Sequence, residues 1–420
     1  MQDRTPIADR ADLDQALSDT LSNTPIIDLH THIYSTDFGE LLLWGADELV
    51  TYHYLIAEVC RAPSGPSPAE FYAMSKTQQA DRIWQNLFVD SSPVSESCRG
   101  VLTTLGELGI DVNGGNLKAA REYFADTTVA QHIDKVFALS NVSHAVMTND
   151  PFDPLEHPVW EGEGCTDERF IPALRLDGIL VMWDKNWQTL KSWGYDVDRG
   201  LTQKTFKAVR AFLADQIKRM KPAYMAVSLG DEFRYPAEDL TAQMIANCVL
   251  PVAEDTNTPF AMMIGVKRQL NPALKLAGDG VGKCDIGAVE RMCAQNPGIR
   301  FLVTLLSREN QHELCVAARK LPNLMPFGCW WFLNDPLTIN EMSRMRLELL
   351  GLSMIPQHSD ARILDQLVYK WKHSKAILHR VLMDKYTDLM ATGWSLTADA
   401  VKADVERLMS QNFKDFVGLK

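Results

Sequence analysis

At 420 residues, with 46% hydrophobic and 23% charged side chains, the chain can bury one large α/β core or two smaller ones. Its net charge of −12 argues against general affinity for nucleic acid or an anionic membrane, because counterion release needs clustered cations, although arginines that converge locally could still bind a small anion. No apolar run approaches membrane-spanning length; Met1 to Asn23 is rich in Asp, Arg and Gln and reads against a secretory signal peptide; and eight scattered cysteines without CxxC spacing suit reduced thiols in the cytoplasm.

The first apolar run, Ile26-Ile27-Asp28-Leu29-His30-Thr31-His32, is bounded by Pro25 and by the polar Tyr34 to Asp37, and it reads as a strand. Side chains repeat every two residues along a strand, so His30 and His32 project from one face at its C-terminal end, close enough to share a cation. Two unrelated surface histidines would give the same spacing, because HxH alone is a weak motif.

Seven further apolar segments follow: Val142 to Met147, Phe170 to Leu176, Ala223 to Leu229, Pro259 to Gly265, Arg300 to Leu306, Leu324 to Trp331 and Ser353 to His358. Amphipathic stretches separate most of them, among them Thr205 to Met220, Leu240 to Ala253, Ile286 to Ala294, Gln311 to Lys320 and Ile339 to Gly351. Eight strands alternating with helices predict a parallel (β/α)8 TIM barrel, and no GxGxxG follows the first strand to favour an open dinucleotide-binding sheet. The interval 33–141 is too long for one crossover and predicts a helical insertion, with helices near Leu49 to Arg61, Pro68 to Phe88, Ser95 to Leu108 and Asn116 to Phe124. A helical tail, Tyr386 to Ala391 and Ala398 to Phe413, is expected on the barrel exterior, so that residues 1–420 form a single domain.

The eighth segment ends Gln357-His358-Ser359-Asp360-Ala361-Arg362. In a closed barrel the eighth strand neighbours the first, so Asp360 is positioned to meet His30 and His32 and complete an N,N,O metal site with an open position. An Asp at this point could equally cap the next helix. His144 reads as a core or rim histidine, and His132, His312, His373 and His379 read as exposed. Asp231-Glu232, after the fourth strand, fits an acid/base site or a solvated loop.

Read together, these residues give a chain that resembles the uronate isomerase (glucuronate isomerase) family of the metal-dependent amidohydrolase superfamily. The resemblance runs discontinuously from Ile26 to Phe416. It rests on Asp28-Leu29-His30-Thr31-His32, Tyr52-His53-Tyr54 with Arg61, Thr148-Asn149-Asp150-Pro151 and Leu155-Glu156-His157. Beyond these come Pro172 to Asp177, Ile264-Gly265 with Arg268, Trp330-Trp331-Phe332 and Ser359-Asp360-Ala361-Arg362.

The resemblance implies an aldose–ketose isomerisation of a hexuronate through an enediol. It implies a divalent metal, zinc in the first instance, on His30, His32 and Asp360, which would stabilise developing oxyanion charge. Asp360 would relay a proton with His53 or Tyr54 as the partner acid or base, and Arg175, Arg268 and Arg362 would hold the carboxylate. Trp331 would wall the sugar pocket, although such aromatic clusters serve barrel packing as often. The expected partner is a small sugar acid, with a homo-oligomer also in keeping with the resemblance.

Two positions depart from the family pattern. Met263 stands where the family has a fifth-strand histidine, and a thioether is a poor ligand for such a metal. His358, on the face of Asp360 and roughly 6.6 Å deeper at about 3.3 Å per residue, is the expected replacement. Lys370 stands where a family arginine is expected, keeping the charge but losing the planar fork. Met263 keeps two alternatives open: a metal-dependent hydrolase or lyase acting on a small carboxylated substrate, and a barrel that binds sugar acids without chemistry.

Overall fold

A computed structural model of the protein describes residues 6–419; the first five residues of the segment read against a signal peptide, and Lys420, lie outside the described residues. Its strands are β1 (Ile26–Thr31), β2 (Val142–Asn149), β3 (Phe170–Arg175), β4 (Met225–Gly230), β5 (Phe260–Lys267), β6 (Gly280–Val281), β7 (Phe301–Leu305) and β8 (Leu324–Pro326). They form one sheet in the order β1-β2-β3-β4-β5-β7-β8, parallel throughout, with the short β6 pairing antiparallel to β5.

Alternation along the strands divides their side chains between two buried layers. Ile27, Leu29, Val146, Ala173, Ala226, Ala261, Met263 and Leu302 pack with Tyr224 and Phe327 in the barrel interior. Their neighbours Ile26, Ala145, Leu174, Val227, Met262 and Val303 pack outward with the surrounding helices. This two-sided burial is what a closed (β/α)8 barrel requires.

The eighth stave is irregular. Ser353 to His358 makes only a single parallel bridge, Phe327 to Ile355, where a regular strand is expected. Pro356 has no N–H to give a ladder, and Asp360 turns the chain at φ +52°. Closure onto β1 instead uses Asp360 N to His30 O (3.2 Å), His32 N to Ala361 O (2.7 Å) and Ser359 N to Asp28 Oδ1 (3.0 Å). Likewise Leu324 to Trp331 is strand only to Pro326, because Gly328 and Trp331 adopt φ +60° and +49°.

The helices up to β2 are α1 (Arg10–Asn23), α2 (Ala46–Val50), α3 (His53–Arg61), α4 (Pro68–Ala73), α5 (Lys76–Trp84), α6 (Glu96–Glu107), α7 (Lys118–Ala125) and α8 (Val129–Ser140). Helices α2 to α7 bury a core of their own through Leu49, Leu55, Val59, Phe71, Ile83, Val101 and Leu105. By contrast α1 and α8, neither of them expected from the pattern, pack Leu13, Leu17, Ile133 and Val136 against the barrel.

The tail departs from expectation at its far end. Val401, Val405 and Leu408 pack outside, but Phe413 and Val417 join the interior cluster, with the Phe413 ring 6.3 Å from Tyr224. Arg300 Nη1 donates to Phe416 O (2.7 Å), and Asn412 Nδ2 donates to Leu352 O (2.6 Å) and Met354 O (2.8 Å). The last helix therefore closes the N-terminal mouth of the barrel, leaving the C-terminal mouth for the site.

Candidate metal centre and adjoining cavity

At that mouth β1 ends in His30 and His32, and the closing segment delivers Asp360 beside them. Asp360 Oδ1 lies 3.6 Å from His30 Nε2 and 3.4 Å from His32 Nε2, and the two imidazoles stand edge to face at 5.4 Å. The left-handed backbone at Asp360 is one that Asp adopts more readily than most residues, and it turns the carboxylate to the histidines.

Burial pushes His30 down to about 3 despite the opposing pull of Asp360, and it holds His32 well below the ordinary histidine value with help from Arg362 and Arg175. Both shifts favour the neutral imidazole, the form that binds a metal ion. His30 Nε2 and Asp360 Oδ1 are buried without a hydrogen-bond partner, an arrangement that is costly for polar atoms unless a ligand joins them. Two imidazole nitrogens and a carboxylate oxygen within 4.8 Å of one another fit a divalent ion. Among the described residues no second cluster of this kind occurs.

His358 does not join the set. Its ring stands 5.3 Å from that of His30 and 5.3 Å from Phe327, buried with neither nitrogen partnered, and burial lowers it to about 3. Gly328 makes room for it, since a Cβ there would fall 1.7 Å from His358 Nδ1. The expected replacement for the missing fifth-strand imidazole thus lies beneath His30, outside the cluster, while Met263 is buried in the apolar interior.

A cavity of about 450 Å³ opens beside the triad, lined by His32, Tyr34, Arg175 and Arg362 on the barrel side and by His53 at the start of α3. Glu48, Thr51, Tyr72 and Lys76 of the insertion and Lys275 of the loop after β5 line it too. Lys76 Nζ binds Glu48 (2.8 Å) and Thr51 (3.0 Å), and Lys275 Nζ sits 4.0 Å above the Tyr72 ring, whose hydroxyl donates to Leu274 O at 2.6 Å. A larger groove of about 710 Å³ lies between α1 and the helix Pro336–Leu350, but it holds surface ion pairs such as Arg344–Asp384 and none of the triad.

Arg175 reaches both oxygens of Asp177 at 3.2 Å, and that carboxylate is the main influence raising the guanidinium above its ordinary value. Arg268, expected at the substrate, instead pairs with Asp279 at 2.7 Å and is half-exposed outside the cavity lining. His53 begins α3, held between Tyr52 (4.1 Å), Tyr54 (4.6 Å) and Trp331 (5.7 Å, edge-on), and burial, Arg362 and His32 keep it well below its ordinary value. Tyr54 stacks on Phe332, is raised well above its ordinary value by burial, and does not line the cavity; nor does the buried Trp331.

Lys370 binds Glu96 of α6 (3.0 Å) and Asn334 O (3.3 Å), tying the insertion to the barrel. Asp231 faces Lys267 at 3.8 Å and stands clear of the cavity lining, as does Glu232. His132, read from the sequence as exposed, is fully buried and bonded to Asp365.

A crystal structure of a uronate isomerase from Bacillus halodurans C-125 is 52% identical in sequence to this chain, covers 99% of it and 98% of its own length, and superposes with a TM-score of 0.96. The chain belongs to the uronate isomerase family. Two more distant structures share the fold: a uronate isomerase from Thermotoga maritima (15% identity, 96% and 97% covered, TM-score 0.76) and a glucuronate isomerase from Caulobacter crescentus (13%, 100% and 97%, TM-score 0.78). No protein-family model and no curated protein matches the chain.

Within this uronate isomerase fold, the residues that the sequence did not single out are Tyr34, Glu48, Thr51, Tyr72, Lys76, Lys275 and Tyr224. Most sit on the insertion or on the loop after β5, where periodicity predicts helices but not which side chains face the barrel mouth.

Proposed function

We propose that this protein interconverts the aldose and ketose forms of a hexuronate at the His30–His32–Asp360 centre. The observation that carries the reading is that His32 of the triad lines one cavity together with two arginines, Arg175 and Arg362. Membership of the uronate isomerase family supports the same substrate class.

His30 and His32 would hold a divalent ion through Nε2 and Asp360 through Oδ1, a donor set that favours zinc. When bound, the ion supplies Lewis-acid polarisation of the sugar's carbonyl and hydroxyl oxygens. Arg175 and Arg362 bind the uronate carboxylate, because a guanidinium offers parallel N–H donors to both oxygens. Arg268 is left out of this role by its engagement with Asp279.

Isomerisation moves one proton from C2 to C1 and one from O2 to O1. We assign the carbon-bound proton to the Asp360 carboxylate oxygen that does not hold the ion, and the oxygen-bound proton to His53, whose Nε2 is buried without a partner. Each group ends as it began, so no outside acid is consumed. Tyr54 and Trp331 support His53 by packing on either side of it. The eight unpaired cysteines suit a reducing cytoplasm, and a homo-oligomer belongs to the same reading, to be measured by light scattering.

The test is ketose formation from D-glucuronate and D-galacturonate by the zinc-loaded protein, beside His32→Ala. Turnover that disappears in the variant supports the isomerase. Metal binding without turnover on either sugar would overturn the hexuronate assignment.

A further inference from the structure

Each histidine of the triad has a hydroxyl at its other ring nitrogen. Tyr224 Oη lies 3.3 Å from His30 Nδ1 and 2.7 Å from Leu29 O. Thr148 Oγ1 lies 2.8 Å from His32 Nδ1 and 3.1 Å from Thr31 O. The arrangement repeats: in both cases the carbonyl belongs to the β1 residue just before the histidine. The two hydroxyls arrive from different places, Thr148 from adjacent β2 and Tyr224 from the residue before β4, across the barrel interior.

A hydroxyl has one proton and two lone pairs, whereas a backbone carbonyl can only accept. If a single hydroxyl serves both contacts, its proton goes to the carbonyl and its lone pair faces the imidazole. Nδ1 must then be the donor, and Nε2 carries the free lone pair. The opposite tautomer would aim Nε2–H at Asp360 Oδ1, but the separations of 3.6 Å and 3.4 Å are long for an N–H···O bond. His30 Nε2 and Asp360 Oδ1 indeed have no partner.

We propose that Tyr224 and Thr148 are positioning residues that hold His30 and His32 in the Nδ1–H tautomer by sending their own hydroxyl protons to the β1 carbonyls. Both Nε2 lone pairs then face Asp360 before any ion arrives. A site that visits the wrong tautomer loses apparent affinity in proportion to the fraction of time it spends there. The consequence for metal binding rests on the reading of the triad as a divalent-ion centre; the consequence for the tautomers does not.

The experiment uses full-length protein with ¹⁵N-labelled histidine, stripped of metal, in the wild type and in Tyr224→Phe, Thr148→Val and Thr148→Ser. Long-range ¹H–¹⁵N spectra are expected to show both histidines as Nδ1–H in the wild type. Tyr224→Phe should move His30 alone toward Nε2–H, and Thr148→Val should move His32 alone. Zinc affinity, measured by competition with a chromophoric chelator, should weaken about 10- to 100-fold in both, the range usual for hydrogen-bond partners of metal-binding histidines, and Thr148→Ser should restore it.

Variants that keep the wild-type tautomers overturn the proposal whatever their affinity or melting temperature. A wild type that binds no zinc would instead overturn the metal reading, with the spectra still deciding whether the hydroxyls set the tautomers. A purely packing role for Tyr224 would lower thermal stability without moving the His30 spectrum.

Discussion

His132 Nε2 and Asp365 Oδ1 meet at 2.6 Å, and neither side chain is exposed. The other oxygen of Asp365 accepts Gly45 N at 2.9 Å, and Leu364 N donates to Leu43 O at 2.9 Å. The pair therefore joins α8, the loop before α2 and the start of the helix Gln366–Ala391, and it fixes Leu43, which lines the cavity, against the segment carrying Arg362. Removing the imidazole leaves the buried Asp365 Oδ1 without its hydrogen-bond partner. His132→Ala is expected to lower unfolding stability by about 1–3 kcal/mol or more. Urea denaturation checks it; a loss below about 1 kcal/mol would mean that water reaches Asp365 readily.

Arg346 presents the opposite case. Its side chain is fully buried, Nη2 reaches Gln311 Oε1 at 3.3 Å, and Nε and Nη1 have no protein partner. No carboxylate lies within 4 Å of the guanidinium among the described residues. A buried charge without a counter-charge is costly, and an apolar side chain of similar length suits such a place better. Arg346→Met is expected to raise stability by roughly 1–4 kcal/mol, read as an upward shift of the denaturation midpoint. A midpoint that falls would show the guanidinium to be well solvated or paired in solution.

The barrel and the triad are legible in the sequence because both follow from short-range rules. Strand alternation brings His30 and His32 together, and adjacency of the first and last staves brings Asp360 to them. The departures arise where backbone geometry is set by single residues. Pro356, Gly328 and the left-handed Asp360 make the eighth stave irregular, so a face count along an ideal strand puts His358 into a cluster that it only underlies. The family resemblance implies a ligand role for Arg268, but Asp279, eleven residues on, takes it. His132 and Tyr224 were hidden for a different reason, since their partners Asp365 and Leu29 lie 233 and 195 residues away.

Glu156 gives the chain a specific pH dependence. Burial pushes its carboxyl up from the ordinary 4.5 to about 7, against hydrogen bonds from Asp150 N, Asn149 Nδ2 and Tyr34 Oη that favour the charged form. A carboxyl that binds its proton more tightly folded than unfolded stabilises the fold fully below about pH 4.5, and that contribution is lost as the pH rises through about 7. Glu156→Gln keeps the shape, and Asn149 Oδ1, which has no partner, can turn to accept the new amide. The wild-type unfolding free energy should fall more steeply than that of the variant between these limits, by on the order of 3 kcal/mol at most, read as a steeper fall of melting temperature with pH. Parallel melting curves across the range would show that Glu156 is reached by water and titrates near its ordinary value.

The three arginines separate by what already holds them. Arg362 lines the cavity with its backbone N–H fixed on Gln366 Oε1 at 2.9 Å, and no carboxylate lies within 4 Å of its guanidinium among the described residues, so the fork is available to a substrate carboxylate. Arg175 shares its guanidinium with Asp177, and Arg268 is committed to Asp279. A charge-assisted hydrogen bond contributes about 1.5–3 kcal/mol, or roughly 10- to 150-fold. Arg362→Gln is therefore expected to lower kcat/KM on a hexuronate by about that factor, and Arg362→Lys should recover part of it as charge without the planar fork. Arg268→Gln should leave kcat/KM within about twofold, since Arg268 sits outside the cavity lining and is engaged with Asp279. Steady-state kinetics of the three variants on one sugar decides the matter. A large loss in Arg268→Gln would mean that the loop after β5 swings over the substrate during turnover and brings that arginine into the cavity.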